Sequence, residues 1–446
     1  MRKLCYIVFV KIWASPKNFV EEPKINDLYL EVMTMNTPLK GAAIIGQSGG
    51  PSSVINASAY GVIRTALDSE FITKVYGANH GIVGVLNDRL MVMDEEDPAE
   101  LERLLFTPSS ALGSCRYKIA DPDVDDTDYK RILEIFQKYD VRYFFYNGGN
   151  DSMDTCNKIS KYMAKVGYDC HVIGVPKTID NDLFGTDHCP GFSSAAKYIA
   201  TFIMEVSRDC HVYDKGMITV VECMGRHAGW LTAAAKLAEV MGDGPDFIYV
   251  PEVDFDMDKF VKDVSECYKK NGNCIVAVSE GCHYADGRFV SEAETSATDG
   301  FGHAQLGGLA AKLADRMHKE TGAKVRGIEL SLLQRCAAHC ASGTDIKESF
   351  ASGEAAVNAA LEGHTDKMVG FECDRTNGYV CNTKLFDLAD VANTEKKLPL
   401  EWINAEGNGI TDGFVEYCLP LIQGETPMEK ENGLPRFCNL KKVFAE

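Results

Sequence analysis

Apolar residues along the chain fall into short unbroken runs, each followed by a glycine-rich or polar cluster and then by apolar positions at helical spacing. The runs stand at 42–45, 143–146, 171–175, 217–221, 247–250 and 275–278, and residues 56–67 read as a helix directly after the first. Their length and their β-branched and aromatic content predict strands buried on both faces. Strands alternating with helices predict βαβ units, hence an α/β fold of parallel sheets with helices on both sides. In such sheets ligands sit beyond the carboxyl ends of the strands, which is where glycines and charges collect here. Two similar α/β lobes fit the pattern, and no short-period repeat or low-complexity linker interrupts it.

Three strand-end loops carry candidate chemistry: Gln47-Ser48-Gly49-Gly50, Asn147-Gly148-Gly149-Asn150-Asp151-Ser152 and Pro176-Lys177-Thr178-Ile179-Asp180-Asn181-Asp182. Paired glycines let the backbone approach a ligand, and amides at a following helix start can point at phosphate oxygens. A tight turn would explain any one of these loops; three together predict a phosphate site. The strings GxxxxGK[ST] and GxGxxG opening a helix are absent, which argues against a P-loop NTPase and a dinucleotide-binding dehydrogenase. In the third loop Lys177 offers a point charge for negative oxygens. Asp180 and Asp182 lie two apart, so one can accept a proton while the other supports its field or a metal. An Asp-rich capping turn would account for one Asp and Thr178, and leaves Lys177 and the second Asp without a role.

Composition narrows the class. At 446 residues, with 45% apolar and 25% charged residues, the chain has material for two or three domains or one large α/β unit. Its 46 basic and 65 acidic residues give a formal charge of −19, which excludes a general nucleic-acid or anionic-membrane binder. An anionic small substrate is still compatible, because local cations and helix N-termini bind phosphate inside acidic proteins. Sixteen cysteines contain no CxxC pair, so they read as reduced, mostly buried thiols of a cytoplasmic protein. Cys336, His339 and Cys340 could share a helix face as part of a metal site, but no fourth ligand has a suitable spacing, and core packing accounts for them. Residues 1–10 faintly resemble an export signal; Lys11 interrupts the apolar run, so an N-terminal extension fits better. No run of ~18 apolar residues is present, so no membrane span is expected.

Taken in order, Ser48-Gly49-Gly50, Gly148-Gly149-Asn150-Asp151-Ser152, the 176–182 loop, Met224-Gly225-Arg226, Glu280 and Leu333-Gln334-Arg335 resemble the phosphofructokinase family, most closely its pyrophosphate-dependent branch. The resemblance runs from about 41 to about 370. It implies two Rossmann-like lobes with mainly parallel sheets and an active site in the cleft between them. After an extension at 1–38, a donor-binding lobe is expected at 39–190, a fructose 6-phosphate lobe at 191–332, and a segment at 333–446 returning to both.

The roles it implies attach to matching positions. Asp180 matches the base that takes the proton from the sugar's 1-hydroxyl, Asp182 a supporting carboxylate, and Thr178 a member of the same loop. Met224, Gly225 and Arg226 match the segment holding the sugar, Glu280 a carboxylate on its hydroxyls, and Arg326 and Arg335 arginines near its phosphate. Gly50 and Arg116 match positions that meet the phosphoryl donor. Two positions select pyrophosphate over ATP. Asp151 stands where ATP-using members generally have Gly and would repel a nucleotide's α-phosphate. Lys177 is typical of the pyrophosphate branch and would stabilise the transferring group. Magnesium is the implied cofactor, with Asn150 and Asp151 as candidate ligands, although Asn150 replaces a usual Asp. Met217 and Leu332 depart from a usual Arg and a usual His or Tyr; Lys215 could stand in for the Arg. The implied reaction is reversible phosphoryl transfer in a homodimer or homotetramer. The rivals are an ATP-dependent 6-phosphofructokinase and a non-catalytic subunit; family subunits of the latter kind typically lose the loop that is intact here.

Overall fold

The computed structural model describes residues 38–291, 306–392 and 394–446; residues 1–37, which hold nearly all of the expected N-terminal extension, lie outside them. Strands β1 (Gly41–Gln47), β2 (Ile72–Ala78), β3 (Leu90–Val92), β4 (Val141–Gly148) and β5 (His171–Pro176) belong to one sheet. Strands β6 (Ile218–Cys223), β7 (Phe247–Tyr249), β8 (Cys274–Ser279) and β9 (Val325–Glu329) form a second, and β10 (Lys367–Asp374) and β11 (Val380–Asp387) return to the first. The first sheet runs β11-β10-β5-β4-β1-β2-β3 and the second β7-β8-β6-β9. All pairings are parallel except β10–β11 and β2–β3.

The period of two along a strand explains the unbroken apolar runs. Ala42, Ile44, Phe144 and Tyr146 enter the core on one side of the first sheet, whereas Ala43, Ile45, Tyr143 and Phe145 enter the core on the other. The second sheet repeats this, with Ile218 and Val220 on one side and Val221 and Cys223 on the other. All six runs read from the sequence are strands. The five strands not read from the sequence, β2, β3 and β9 to β11, lie at or next to sheet edges; β2 and β9 to β11 have exposed positions and need no continuous apolar sequence, whereas β3 is buried but only three residues long.

Among the long helices, α1 (Ile55–Leu67), α2 (Asn150–Lys165) and α3 (Phe192–Cys210) follow strand-end loops directly. Farther along are α4 (Leu309–Thr321) and α5 (Gly343–Leu361). Helices α1 and α5 cross through two glycines. A Cβ on Gly61 would lie 2.2 Å from the Phe350 carbonyl oxygen, and one on Gly353 would lie 2.1 Å from the Ser58 carbonyl oxygen. Both obstacles are backbone, so neither can give way. Gly353→Val is therefore expected to destabilise the protein by about 3 kcal/mol, the upper part of the usual overpacking range, seen as a lowered midpoint in thermal or urea denaturation.

Residues 443–445 cover the β3 edge: Val92 N–H donates to Val443 O, and Ala445 N–H to Leu90 O, both at 2.8 Å. Eight of the fifteen described cysteines are buried, in line with mostly buried thiols, and Cys336 is exposed. One sequence expectation needs correction here. Cys336, His339 and Cys340 fall on a short helix and a following 3-10 turn rather than one helix face, with Cys336 and His339 facing solvent, so core packing does not account for them.

Candidate active site

The carboxyl ends of β1, β4 and β5 face those of β6 and β8 across a cleft of about 590 Å³. The β1 loop turns at Gly49, whose φ of 76° favours glycine. Its partner loop is tied to it: Gly49 N–H donates to Cys115 O at 3.0 Å and the Ser114 hydroxyl to Gly49 O at 2.7 Å. Arg116 is thereby set beside Gly50. A Cβ on Gly50 would come within 2.8 Å of Arg335 Nη1, so a larger residue would displace that guanidinium, and 3.9 Å from Arg116 Nη2. Lys177 completes a cationic wall by donating from Nζ to Gly50 O at 2.5 Å. Burial pulls the Lys177 ammonium down to about 8; Asp180 opposes this, and Arg335 and Arg116 add to it.

The loop after β5 is held by its own residues. Asp180 N–H donates to the Thr178 hydroxyl at 3.1 Å, and Asn181 adopts a φ of 56°, a conformation Asn tolerates better than most residues. The fully buried Asn181 side chain fixes that twist. Its Nδ2 donates to the Tyr417 hydroxyl at 2.9 Å, and its Oδ1 accepts from Cys189 N–H at 2.9 Å. Asp180 and Asp182 on either side both face the cleft. Burial raises the Asp180 carboxyl to about 7, with Asp182 and Glu280 adding and Lys177 and Arg226 opposing. Asp182 is raised by burial and then by Glu395. Beyond the loop, Asp345 at the start of α5 accepts from Gly191 N–H at 3.0 Å and from Ser194 N–H and hydroxyl at 2.9 and 2.6 Å, which fixes the start of α3.

Across the cleft, Met224, Gly225 and Arg226 follow β6, and Glu280 follows β8. Gly225 N–H donates to Glu280 Oε1 at 3.4 Å, and the Ser279 hydroxyl donates to Gly225 O at 2.6 Å. Gly225 has a φ of 126°, and a Cβ there would meet Ala228 O at 2.6 Å. Met224 N–H donates to Gln334 Oε1 at 3.2 Å, linking this segment to the one that carries Arg335. Burial raises Glu280 and lowers Arg335. One end of the cleft is therefore cationic and its floor carboxylate-rich, a division suited to an anionic ligand beside a group that must lose a proton.

The phosphofructokinase family pattern matches residues 42–360. This chain belongs to the phosphofructokinase family. It is similar to the pyrophosphate–fructose 6-phosphate 1-phosphotransferases of Halomonas elongata, at 45% identity over 91% of this chain and 97% of that one, and of Methylococcus capsulatus, at 44% over 90% and 96%. A crystal structure of the pyrophosphate-dependent phosphofructokinase from Nitrosospira multiformis covers 91% of this chain and 98% of its own, with 40% identity and a TM-score of 0.83.

In this phosphofructokinase, Gly50, Arg116, Asn150, Asp151, Lys177, Thr178, Asp180 and Asp182 line the cleft from the first sheet. Met224, Arg226, Glu280 and Arg335 line it from the other side, and Gly225 supports that wall through its amide. Arg326 is not brought in: it is exposed on β9, the edge strand of the second sheet. Met217, where the resemblance implies an arginine, is buried against Cys210 and Ile275, while Lys215 and Leu332 are exposed outside the cleft.

Lys118, His227 and Glu395 also line the cleft and were not picked out from the sequence. His227 directly follows the Met224-Gly225-Arg226 segment and Lys118 lies two residues past Arg116, so both had a local signal. Glu395 sits in a charge-rich stretch with none. A divalent cation is compatible with the donor set. Asn150 Oδ1 and Asp182 Oδ1 are buried oxygens without a hydrogen-bond partner, held together by Asn150 Nδ2 donating to Asp182 Oδ2 at 3.2 Å. Hard oxygen donors of this kind suit magnesium-like ions. Asp151, by contrast, faces Lys118, whose Nζ is 3.8 Å from Asp151 Oδ1.

Proposed function

We propose that the chain is a pyrophosphate-dependent phosphofructokinase: it transfers a phosphoryl group reversibly from pyrophosphate to the 1-hydroxyl of fructose 6-phosphate, giving fructose 1,6-bisphosphate and phosphate. The observation that carries this reading is the juxtaposition of a buried Lys177, laid against the Gly50 carbonyl between two arginines, with the raised carboxyl of Asp180. Asp180 accepts the hydroxyl proton as the sugar oxygen attacks phosphorus in line. Lys177 and Arg116 offset charge on the donor, Arg335 and Arg226 orient the sugar phosphate, and Glu280 accepts from the sugar hydroxyls. Asn150 and Asp182, with Asp151 beside them, would hold Mg²⁺. When bound, that ion neutralises phosphate charge as it moves between donor and acceptor.

Asp151 and Lys118 together favour pyrophosphate. A carboxylate at the donor end repels a further phosphate, and its ion pair with Lys118 holds it at the cleft wall. The test offers pyrophosphate and ATP separately to the purified enzyme with fructose 6-phosphate and Mg²⁺. Turnover with pyrophosphate and none with ATP is expected, and Asp151→Gly should raise ATP use. Turnover with ATP alone in the unaltered enzyme would overturn the donor assignment.

A pH effect follows from Asp180. A base must be ionised, and its raised pKa means that kcat/KM for fructose 6-phosphate falls as pH drops through about 7. A bound cation favours the carboxylate, so that acid limb should move to lower pH as Mg²⁺ is raised. A limb that ignores Mg²⁺ would count against a cation beside the loop. We further propose a homodimer or homotetramer in which the exposed Arg326 reaches the sugar phosphate of another copy. None of the described helices is long and apolar enough to cross a membrane, and a cytoplasmic location fits the thiol-rich composition.

A further inference from the structure

The segment leaving the catalytic loop leads to a second cluster of reactive side chains. His188 is fully buried and stacks on Phe371 with ring centroids 4.8 Å apart. Its Nδ1 lies 3.0 Å from Asp187 Oδ1 and its Nε2 2.8 Å from Glu348 Oε2. Cys373 Sγ is 3.8 Å from the same Nδ1 and 3.6 Å from the Tyr379 hydroxyl, which donates to Glu348 Oε1 at 2.7 Å. Cys373 and Cys381 are directly opposed residues of the antiparallel β10–β11 pair. Opposed residues in such a pair have Cα atoms ~4.5–5.5 Å apart, inside the ~4.4–6.8 Å window of disulfides. Both thiols are half-buried and so open to a small reagent, unlike the cysteines sealed in the cores.

The two thiols are not equivalent. Cys373 is drawn down to about 6, first by its hydrogen bond with Cys381 and then, against burial, by His188. A thiolate beside a second thiol on the neighbouring strand is the arrangement of an attacking and a resolving cysteine.

We propose that Cys373 and Cys381 form a reversible oxidation site for hydroperoxides. The Cys373 thiolate attacks one peroxide oxygen, the O–O bond breaks, and the leaving oxygen departs with a proton as water (or as alcohol from an alkyl hydroperoxide), leaving Cys373 as sulfenic acid. The sulfur of Cys381 then attacks the Cys373 sulfur. The S–O bond breaks, the Cys381 proton leaves with the hydroxyl as water, and a disulfide joins β10 to β11. Two electrons pass from the thiols to the peroxide. A single metal ion accounts for the cluster less well, because it would use one face of His188 with Asp187 and Cys373 or the other with Glu348 and Cys381.

The site is wired to the catalytic loop. Asp187 N–H donates to Phe371 O at 2.9 Å, Phe371 N–H to the Thr186 hydroxyl at 2.8 Å, and Arg375 grips Asp187 through two bonds of 2.7 and 2.8 Å. The Tyr417 hydroxyl that holds Asn181 also donates to Asp187 O at 2.9 Å. Bridging the cysteines takes the thiolate from His188 and pulls on this anchor, so turnover should fall with oxidation.

The full-length enzyme is reduced, exposed to hydrogen peroxide, and digested with trypsin without reductant. Cleavage after Arg375 puts the two cysteines in separate peptides, 368–375 and 376–384, which stay joined only through a disulfide. The expected result is the joined pair and a parallel loss of turnover, both reversed by dithiothreitol and both absent in Cys373→Ser and Cys381→Ser, which keep basal turnover. No joined pair at a dose that already oxidises the exposed Cys336 would overturn the proposal, as would one zinc ion per chain that is lost in the same variants. A joined pair with unchanged turnover would overturn the link to the loop. The peptide readout needs no phosphoryl transfer, so its failure is distinct from failure of the proposed reaction.

Discussion

Asp180→Asn is expected to lower kcat by roughly two to four orders of magnitude, the span that a positioned general base contributes. The substitution keeps the volume and a hydrogen-bonding oxygen, so the loop held by Thr178 and Asn181 should keep its shape, and the KM for fructose 6-phosphate should change far less than kcat. Burial and the neighbouring carboxylates Asp182 and Glu280 already disfavour charge at this position. Removing that charge therefore relieves repulsion, and thermal stability should hold or rise. The acid limb near pH 7 should vanish with the group that produces it. Steady-state kinetics and a denaturation curve on the same preparation check all three points. A loss of less than about tenfold would exclude Asp180 as the base.

Lys177→Met should cost about two to three orders of magnitude in kcat, the usual penalty for removing one preorganised donor from a developing negative charge. Its signature differs from that of Asp180. Lys177 opposes the upward shift of Asp180, so its loss should raise the Asp180 pKa further and move the acid limb to higher pH. The ammonium is buried beside Arg335 and Arg116, and replacing it with an apolar chain removes a desolvated charge and two repulsions, which together outweigh the lost attraction to Asp180. The melting midpoint should therefore hold or rise while activity collapses, as expected where a site gives up stability for function. A fall in both together would point to a structural role for the bond to Gly50.

The parts of this molecule legible in the sequence were those where one physical demand dominates. Strands β1, β4, β5, β6, β7 and β8 are covered by core on both faces or nearly so, and that demand writes an unbroken apolar run. The loops after β1 and β4 line the cleft with backbone and carry paired glycines, and the loop after β5 lines it with charged side chains, so all three stood out. Elements meeting mixed demands were not legible. Strand β10, buried only over its first half, and the largely exposed β11 carry ordinary-looking sequence, and Glu395 reaches the cleft from a stretch whose neighbouring Lys396 ties to Thr186 O and Asp187 O, contacts that no local pattern announces. Arg326 matched the family pattern by position, yet position along the chain could not say that β9 lies at a sheet edge outside the cleft. Asn181 had a motif but no visible task; its buried partners, among them Tyr417 over two hundred residues away, show why an amide that accepts a left-handed backbone belongs between the two cleft aspartates.

The first sheet is closed on both sides by residues from far along the chain, with β10 and β11 beyond β5 and residues 443–445 beside β3. During synthesis β1 to β5 can associate early, but they then present a mostly parallel sheet with two bare margins until the later segments arrive. Such margins invite pairing with other chains, and closing so long a loop is slow compared with local helix formation. Completion of the first sheet therefore waits on the segment that follows the second, so its side of the cleft is finished only late in synthesis.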